Sequence, residues 1–115
     1  MRILKEGHLY ELESMEGTNP QRIQFIEKII ASEVINMGID CSIETNGFVT
    51  INDGTTNEEV LKMLIDRCQT LLKKLPSRET ALVITKLEEA LMWLNKRTEN
   101  RIKQGVENTS LPHKS

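Results

Sequence analysis

A short polar segment carries the first group of residues that could contact a ligand. Residues 52–57 read NDGTTN and separate an apolar alternating segment from a long amphipathic one. Small amide, carboxylate and hydroxyl side chains are typical of a helix N-cap. Free backbone N–H groups at a helix start, next to the positive end of the helix dipole, also suit a phosphate. The segment therefore predicts either a plain strand-to-helix junction or one wall of an anion-binding site.

A second group lies further along the chain, at helical spacing. Lys86, Ala90, Trp93, Arg97 and Arg101 follow one another at intervals of three or four residues, which places them on one side of a helix. An aromatic plane and two guanidinium groups then lie in a row. Arginine pairs bidentately with phosphate oxygens and stacks on planar rings. The alternative is that Trp93 belongs to the core or to a dimer contact and that the arginines are solvated.

Catalytic sets of residues are not apparent. His8 and His113 are far apart, and no nucleophile can be matched with a base. Glu88 and Glu89 are adjacent in a helix and point about 100° apart, which is more typical of a solvated face than of a carboxylate pair. The sequence predicts no catalytic residues, and the protein is expected not to be an enzyme.

Composition excludes several kinds of partner. The net charge is −2 and both signs are spread along the chain, so no DNA or RNA partner is expected. Cys41 and Cys68 lack a metal-ligand spacing, so no metal site and no cofactor is expected. No segment approaches the roughly 18 apolar residues of a membrane span, and residues 1–16 do not resemble a signal peptide. These features predict a cytoplasmic protein without a membrane partner.

The first half, residues 1–54, is predicted to be mainly β. The segments GHLYELES and RIQFIEKI flank a turn cluster and predict a hairpin. Asn46-Gly47 favours a type I′ turn. A helix that starts with Asn19 as N-cap and Pro20 at N1 is the competing interpretation. We favour a strand through Lys28 and leave residues 29–40 unassigned.

Residues 55–105 predict a helical hairpin. Thr55 or Thr56 caps the first helix and Pro76 ends it. Ser77 caps the second helix, and Gly105 is a natural stop. Apolar residues recur at helical spacing in both: Leu61, Leu64, Ile65, Cys68, Leu71, Leu72 and Leu75 in the first, and Ile84, Leu87, Leu91, Leu94 and Thr98 in the second.

The fold class that follows is α+β, with a small N-terminal antiparallel β-sheet and then a C-terminal helical hairpin of two long helices. At 115 residues the chain is expected to form a single domain, residues 1–115. Residues 106–115 are expected to be a flexible tail.

The segments NDGTTNEEVLKMLIDR, SRETALVITKLEEALMWLNKRTENR and GVE resemble a family of phage proteins. They are similar to the anti-Thoeris signal-sequestering (sponge) proteins, Thoeris anti-defence protein one. EGHLYELES and IQFIEK look similar to that family too. The helix that begins SRE is also similar to the phage cyclic-nucleotide sponges that disarm CBASS.

This resemblance implies a sponge without catalytic activity. Bacteria that carry Thoeris make a cyclic ADP-ribose isomer from NAD through a TIR-domain enzyme, and this signal activates an NAD-consuming effector. The family binds the signal intact, in pockets between the protomers of a dimer, and some members assemble dimers into hexamers. The implied ligand is a glyco-cyclic ADP-ribose, with cyclic di- or trinucleotides as further ligands. The protein would act in the cytoplasm of the infected bacterial host.

Residue roles then follow from residue type. Arg97 and Arg101 would hold the pyrophosphate, and the ribose hydroxyls would contact Asn52, Asp53, Thr55 and Thr56. Phe25, Phe48 and Trp93 are candidates for an adenine face. Ser77 and Arg78 would bind phosphates of a cyclic trinucleotide where dimers meet.

Two other classes of function stay open. One is a helical-hairpin module that self-associates and binds nothing small. The other is an enzyme that cleaves the signal.

Overall fold

The computed structural model describes residues 1–30 and 48–110, with side chains described as far as residue 104. The chain divides into two compact units, residues 1–56 and residues 57–115. In the described residues, the elements of the first unit are strands and those of the second unit are two helices. The predicted α+β class, a small antiparallel β region followed by a helical hairpin, is confirmed. That residues 1–115 form a single domain stays a prediction.

Five short strands lie in the described part of the first unit, residues 1–30 and 48–56. They are β1 (Arg2–Lys5), β2 (Leu9–Leu12), β3 (Gln21–Gln24), β4 (Glu27–Ile30) and β5 (Phe48–Asn52). Strands β1, β2 and β3 form one antiparallel sheet in that order, and β4 pairs with β5 in a second. The region is thus two small sheets rather than one.

The predicted hairpin between GHLYELES and RIQFIEKI is present. Tyr10 of β2 lies opposite Ile23 of β3. Gly17, in the loop between these strands, has a φ of 76° and its N–H donates to the Ser14 carbonyl at 3.1 Å. This left-handed conformation favours glycine. The helical interpretation from Asn19 is wrong, because residues 21–24 and 27–30 are strands. The predicted Asn46-Gly47 turn lies outside the described residues.

A close crossing of two chain segments joins the two sheets. The Thr55 N–H donates to the Gln24 carbonyl at 2.8 Å, and the Ile26 N–H donates to the Thr55 carbonyl at 2.9 Å. Gly54 lies directly against this backbone. A Cβ at position 54 would be 2.7 Å from the Phe25 carbonyl carbon and would also clash with the Gln24 carbonyl. Only glycine fits here without a backbone shift.

Glu27 is the buried polar residue beside this crossing, with 7% of its surface exposed. Lys5 Nζ lies 2.6 Å from both carboxylate oxygens, and Asn52 Nδ2 donates to Oε1 at 3.0 Å. The hydrogen bond from Lys5, and then that from Asn52, lower the pKa of the Glu27 carboxyl below its ordinary value of 4.5, against the opposing effect of burial. The carboxylate links β1, β4 and β5.

The second unit is a hairpin of α1 (Asn57–Lys74) and α2 (Arg78–Ser110). Thr56 immediately precedes α1, and α1 ends two residues before Pro76 as predicted. Ser77 caps α2, because its Oγ accepts the Thr80 N–H at 3.0 Å. Glu58 and Glu59 in the first turn of α1, and Lys73 and Lys74 in its last, suit the helix dipole.

The apolar stripes predicted from the sequence form most of the helical interface. Ile84 is buried, and Leu61, Leu64, Ile65, Cys68, Leu72, Leu87, Leu91 and Leu94 are partly buried. Leu71, Leu75 and Thr98 are exposed, so the stripes are shorter than predicted. Among the described residues, no helix is both long and apolar enough to span a bilayer.

The predicted stop at Gly105 is wrong, because α2 continues to Ser110. Glycine costs about 1 kcal/mol relative to alanine inside a helix, which weakens it without ending it. The range predicted for the helical hairpin, residues 55–105, therefore ends too early. The flexibility expected of residues 106–115 stays a prediction.

We predict that Gly54→Ala destabilises the first unit by about 1 to 3 kcal/mol, the usual cost of forcing extra volume into a packed site. Hydrogen exchange at the Thr55 and Ile26 amides measures this directly. Gly7→Ala is the matched control: Gly7 has a φ of 78° but open space around it, so only conformational strain applies. Equal protection in the two variants would contradict the close crossing.

A second prediction concerns pH. Since the folded-state pKa of Glu27 is lowered, its stabilising effect is fully present above the unfolded pKa and is lost as pH falls through the folded pKa. Wild type should exceed Glu27→Gln in unfolding free energy at neutral pH, and the difference should shrink below about pH 4.5. Urea unfolding across a pH series tests this. Carboxyl groups in proteins usually titrate above roughly pH 3. If the difference in unfolding free energy between wild type and Glu27→Gln stays constant down to that pH, Glu27 does not stabilise the fold through its charge.

Candidate functional site

The first unit brings several of the predicted site residues close to the crossing. Phe25 lies between β3 and β4 and forms an isolated parallel bridge with Thr55. Its ring packs edge-on against Tyr10, with centroids 5.9 Å apart and an interplanar angle of 85°. Phe25 is therefore already engaged in packing, with part of its surface still accessible.

The polar junction uses some of its hydrogen-bonding groups internally. Asp53 Oδ1 accepts the Gly54 N–H at 2.9 Å, and the Thr55 N–H is bonded to Gln24. The expectation of free backbone N–H groups is wrong at these two positions. What the junction offers is side chains: Asn52 and Asp53 are exposed, and Thr55 and Thr56 are partly buried.

Phe48 is set apart from this group. It is the first residue of β5, whereas Asn52 is the last, and four residues of strand span about 13 Å. Phe48 is 40% exposed and lies opposite Ile30, which is also exposed. The structure thus places an exposed aromatic side chain at the far end of the strand that leads to the junction.

In the second unit, Trp93, Arg97 and Arg101 occupy successive turns of one flank of α2. Trp93 is 62% exposed, which rules out a place in the core of the hairpin. Both arginines are exposed. Among residues 1–30 and 48–104, no carboxylate forms an ion pair with either guanidinium. The flank combines a large aromatic surface with two available cations.

Ser77 and Arg78 lie at the other end of α2. The Ser77 hydroxyl accepts the Thr80 N–H and donates to Thr80 Oγ1 at 2.9 Å. Its structural role as a cap is therefore clear. Arg78 is the exposed first residue of the helix.

Sequence reasoning missed an open groove between α1 and α2. Its volume is about 600 Å³, and none of the predicted site residues lines it. The lining combines apolar side chains with charges of both signs: Lys62, Ile65, Asp66, Gln69, Glu88, Leu91, Met92, Asn95, Lys96 and Glu99. Ile65 and Leu91 belong to the apolar stripes, and the polar lining residues flank those stripes, where such side chains are ordinarily solvated. The sequence pattern therefore did not indicate the groove.

Sequence reasoning also missed Glu27. The residue shares the inward face of β4 with Ile29, since alternate residues of a strand point the same way. An acidic residue at an inward position of a predicted strand would have indicated a buried carboxylate with hydrogen-bonding partners. Among the described residues, no three His, Cys, Asp or Glu side chains lie close enough to hold a metal ion.

Comparison with known proteins identifies the hairpin. A family model described as "Acb2/Tad1, hairpin domain" matches residues 34–99, more than half of the 115-residue chain. The match includes the polar junction, Ser77, Arg78, Trp93 and Arg97, and ends just before Arg101.

A relative from Bacillus phage SBSphiJ7, named Thoeris anti-defense 1, is 52% identical over 58 residues. The alignment covers 50% of this chain and 41% of the relative, so the chain matches less than half of that protein's length. Together with the helical hairpin seen in the structure, the match over residues 34–99 establishes the relationship: the chain belongs to the Acb2/Tad1 hairpin-domain family.

Proposed function

We propose that this protein is a phage anti-defence sponge that binds the cyclic ADP-ribose isomer made by Thoeris TIR enzymes and withholds it without cleaving it. The observation that carries the proposal is the 52% identity to a phage protein named Thoeris anti-defense 1. It acts in the cytoplasm of the infected bacterial host, where the signal is made. It requires no cofactor.

The pyrophosphate of the ligand is assigned to Arg97 and Arg101. Two phosphates need concentrated positive charge and donors in a fixed geometry, which guanidinium groups supply. The exposure of both side chains supports this role, since neither has to leave a carboxylate partner in the described part of the chain before it binds.

Trp93 is assigned to the adenine. An aromatic face stacks on a base through dispersion and the ring quadrupole, and Trp93 presents the largest exposed aromatic surface of α2. Phe48 is the second candidate because it is also exposed. Phe25 is the third, since its ring already contacts Tyr10.

The ribose hydroxyls are assigned to the junction. Asn52 and Asp53 offer oxygen acceptors, and Thr55 and Thr56 offer hydroxyl groups that both donate and accept. The rigid crossing beneath them supports this role, because groups on a fixed backbone lose less entropy when a ligand binds.

A second copy of the chain completes the proposal. Val83, Ala90 and Trp93 lie on one flank of α2, and both Val83 and Trp93 are exposed. Apolar surface of this kind is typical of an interaction site. Within the second unit, α2 has 33 residues and α1 has 18, so part of α2 has no counterpart in α1. We therefore propose at least a dimer, with a hexamer built as a trimer of dimers as the larger assembly.

Cyclic di- or trinucleotides of CBASS are the second ligand class. Ser77 and Arg78 are the residues assigned to their phosphates. Arg78 supports this assignment by its exposure at the start of α2, where the helix dipole favours an anion.

One experiment separates the sponge from both other classes of function. The full chain is incubated with the cyclic ADP-ribose isomer, free ligand is removed by filtration, and the protein is then denatured by heat. Intact ligand released only on heating supports the proposal. Altered ligand would instead indicate an enzyme, and protein that retains no ligand after filtration would indicate an interaction module.

The arginine assignment gives a prediction of its own. Arg101→Ala, and to a lesser degree Arg97→Ala, should weaken binding by about 30-fold to several thousandfold, which corresponds to the roughly 2 to 5 kcal/mol cost of truncating one partner of a desolvated charge pair. Since α2 continues to Ser110, both residues lie inside the helix. The fold should therefore change by only about 0.5 kcal/mol, as for other surface substitutions.

Isothermal titration measures the affinities, and thermal melting measures the fold. Arg67→Ala is the matched control, because Arg67 is an exposed arginine of α1 that is not assigned to the ligand. If neither Arg97→Ala nor Arg101→Ala weakens binding more than this control does, the pyrophosphate is not held by α2.

A further inference from the structure

The Asn52 side chain has two ends of opposite hydrogen-bonding character, and Glu27 determines which end faces outward. Asn52 Nδ2 donates to Glu27 Oε1 at 3.0 Å. An ionised carboxylate only accepts hydrogen bonds. The amide NH₂ group must therefore face Glu27, and the carbonyl oxygen Oδ1 points away from it.

Lys5 stabilises this orientation of the Asn52 amide by keeping Glu27 ionised. Its Nζ lies 2.6 Å from both oxygens of Glu27, which favours the ionised form at neutral pH. A reversed amide would place Asn52 Oδ1 against a carboxylate oxygen, so that two acceptors would face each other where a hydrogen bond now forms. Among the described residues, Lys5 and His8 are the titratable groups that favour the ionised carboxylate of Glu27.

Asn52 is exposed although its NH₂ group is engaged. The outward Oδ1 therefore presents an acceptor, to which a hydroxyl group can donate and a phosphate oxygen or a carbonyl cannot.

We propose that Glu27 is a positioning residue that holds Asn52 with Oδ1 outward, so that this position accepts a hydrogen bond from a free ribose hydroxyl of the ligand. The inference rests on the proposed function and sharpens it. A ligand that lacks the hydroxyl, or that carries an acceptor in its place, is discriminated against here. Glu27 does this without touching the ligand.

The first test needs no ligand. In the full chain labelled with ¹⁵N, the Asn52 side-chain NH₂ resonance should shift in Glu27→Gln and stay in place in Glu11→Gln. Glu11 is the matched control: it is a partly buried carboxylate that pairs with Arg2 and Arg22. An Asn52 resonance that does not respond to Glu27→Gln would overturn the positioning role.

The second test uses the cyclic ADP-ribose isomer and analogues that each lack one free ribose hydroxyl. Wild type and Glu11→Gln should bind one analogue about 3- to 10-fold more weakly than the isomer, as expected for one net hydrogen bond. Glu27→Gln should bind the two almost equally, because its amide lets Asn52 reverse. Asn52→Ala changes an exposed residue, and it should lose the same discrimination even if Glu27→Gln does not fold.

The outcomes are distinct. Discrimination that persists in Asn52→Ala, or that is absent from wild type, overturns the selection of a hydroxyl. If wild type binds no cyclic ADP-ribose isomer at all, the proposed function fails and the ligand part of this inference fails with it. The NMR test still decides whether Glu27 orients Asn52.

Discussion

The close passage of Gly54 over the Gln24–Phe25 backbone is the constraint on which the first unit depends. Two hydrogen bonds, at 2.8 and 2.9 Å, fix Thr55 between the neighbours of Phe25, and no side chain fits at position 54. In the described residues the β4–β5 sheet has only two strands, and an isolated pair of strands is marginal alone. The crossing joins this sheet to the β1–β2–β3 sheet and leaves Asn52 and Asp53 on a fixed backbone. A ligand contact made there requires little further ordering.

The polar residues of the candidate site divide according to how much of their bonding capacity the fold uses. Ser77 and the N–H groups of Gly54 and Thr55 are committed to the protein. Arg97, Arg101 and Trp93 are exposed. Asn52 combines the two properties: its NH₂ group is bonded to Glu27, and the residue is still exposed. A protein that only sequesters its ligand needs complementarity to the ground state and no machinery for a transition state. The residues that we assign to the ligand are hydrogen-bonding side chains and exposed cations, which suit ground-state binding of this kind.

Much of the helical hairpin could be predicted from the sequence because its determinants are local. The spacing of Ile84, Leu87 and Leu91 predicts the buried face of α2, and the Ser77 cap follows from its place after Pro76. The helix end predicted at Gly105 was wrong, because a lone glycine weakens a helix without ending it. Non-local features could not be predicted: the pairing of Thr55 with Gln24, and of Glu27 with Lys5 and Asn52, joins residues separated by more than twenty positions. For the site, residue type indicated the ligand groups, whereas the separation of Phe48 from Asn52 depends on the course of β5.

Native mass spectrometry tests whether the protein holds an intact cyclic ADP-ribose isomer. The full chain is sprayed from a volatile buffer with the isomer present, and the mass of each assembly is recorded before and after the ligand is ejected in the gas phase. A dimer or larger assembly should carry added mass equal to the unmodified isomer and release that same mass. A ligand heavier by one water would contradict sequestration without cleavage. An assembly that never gains the mass of the isomer would contradict binding itself.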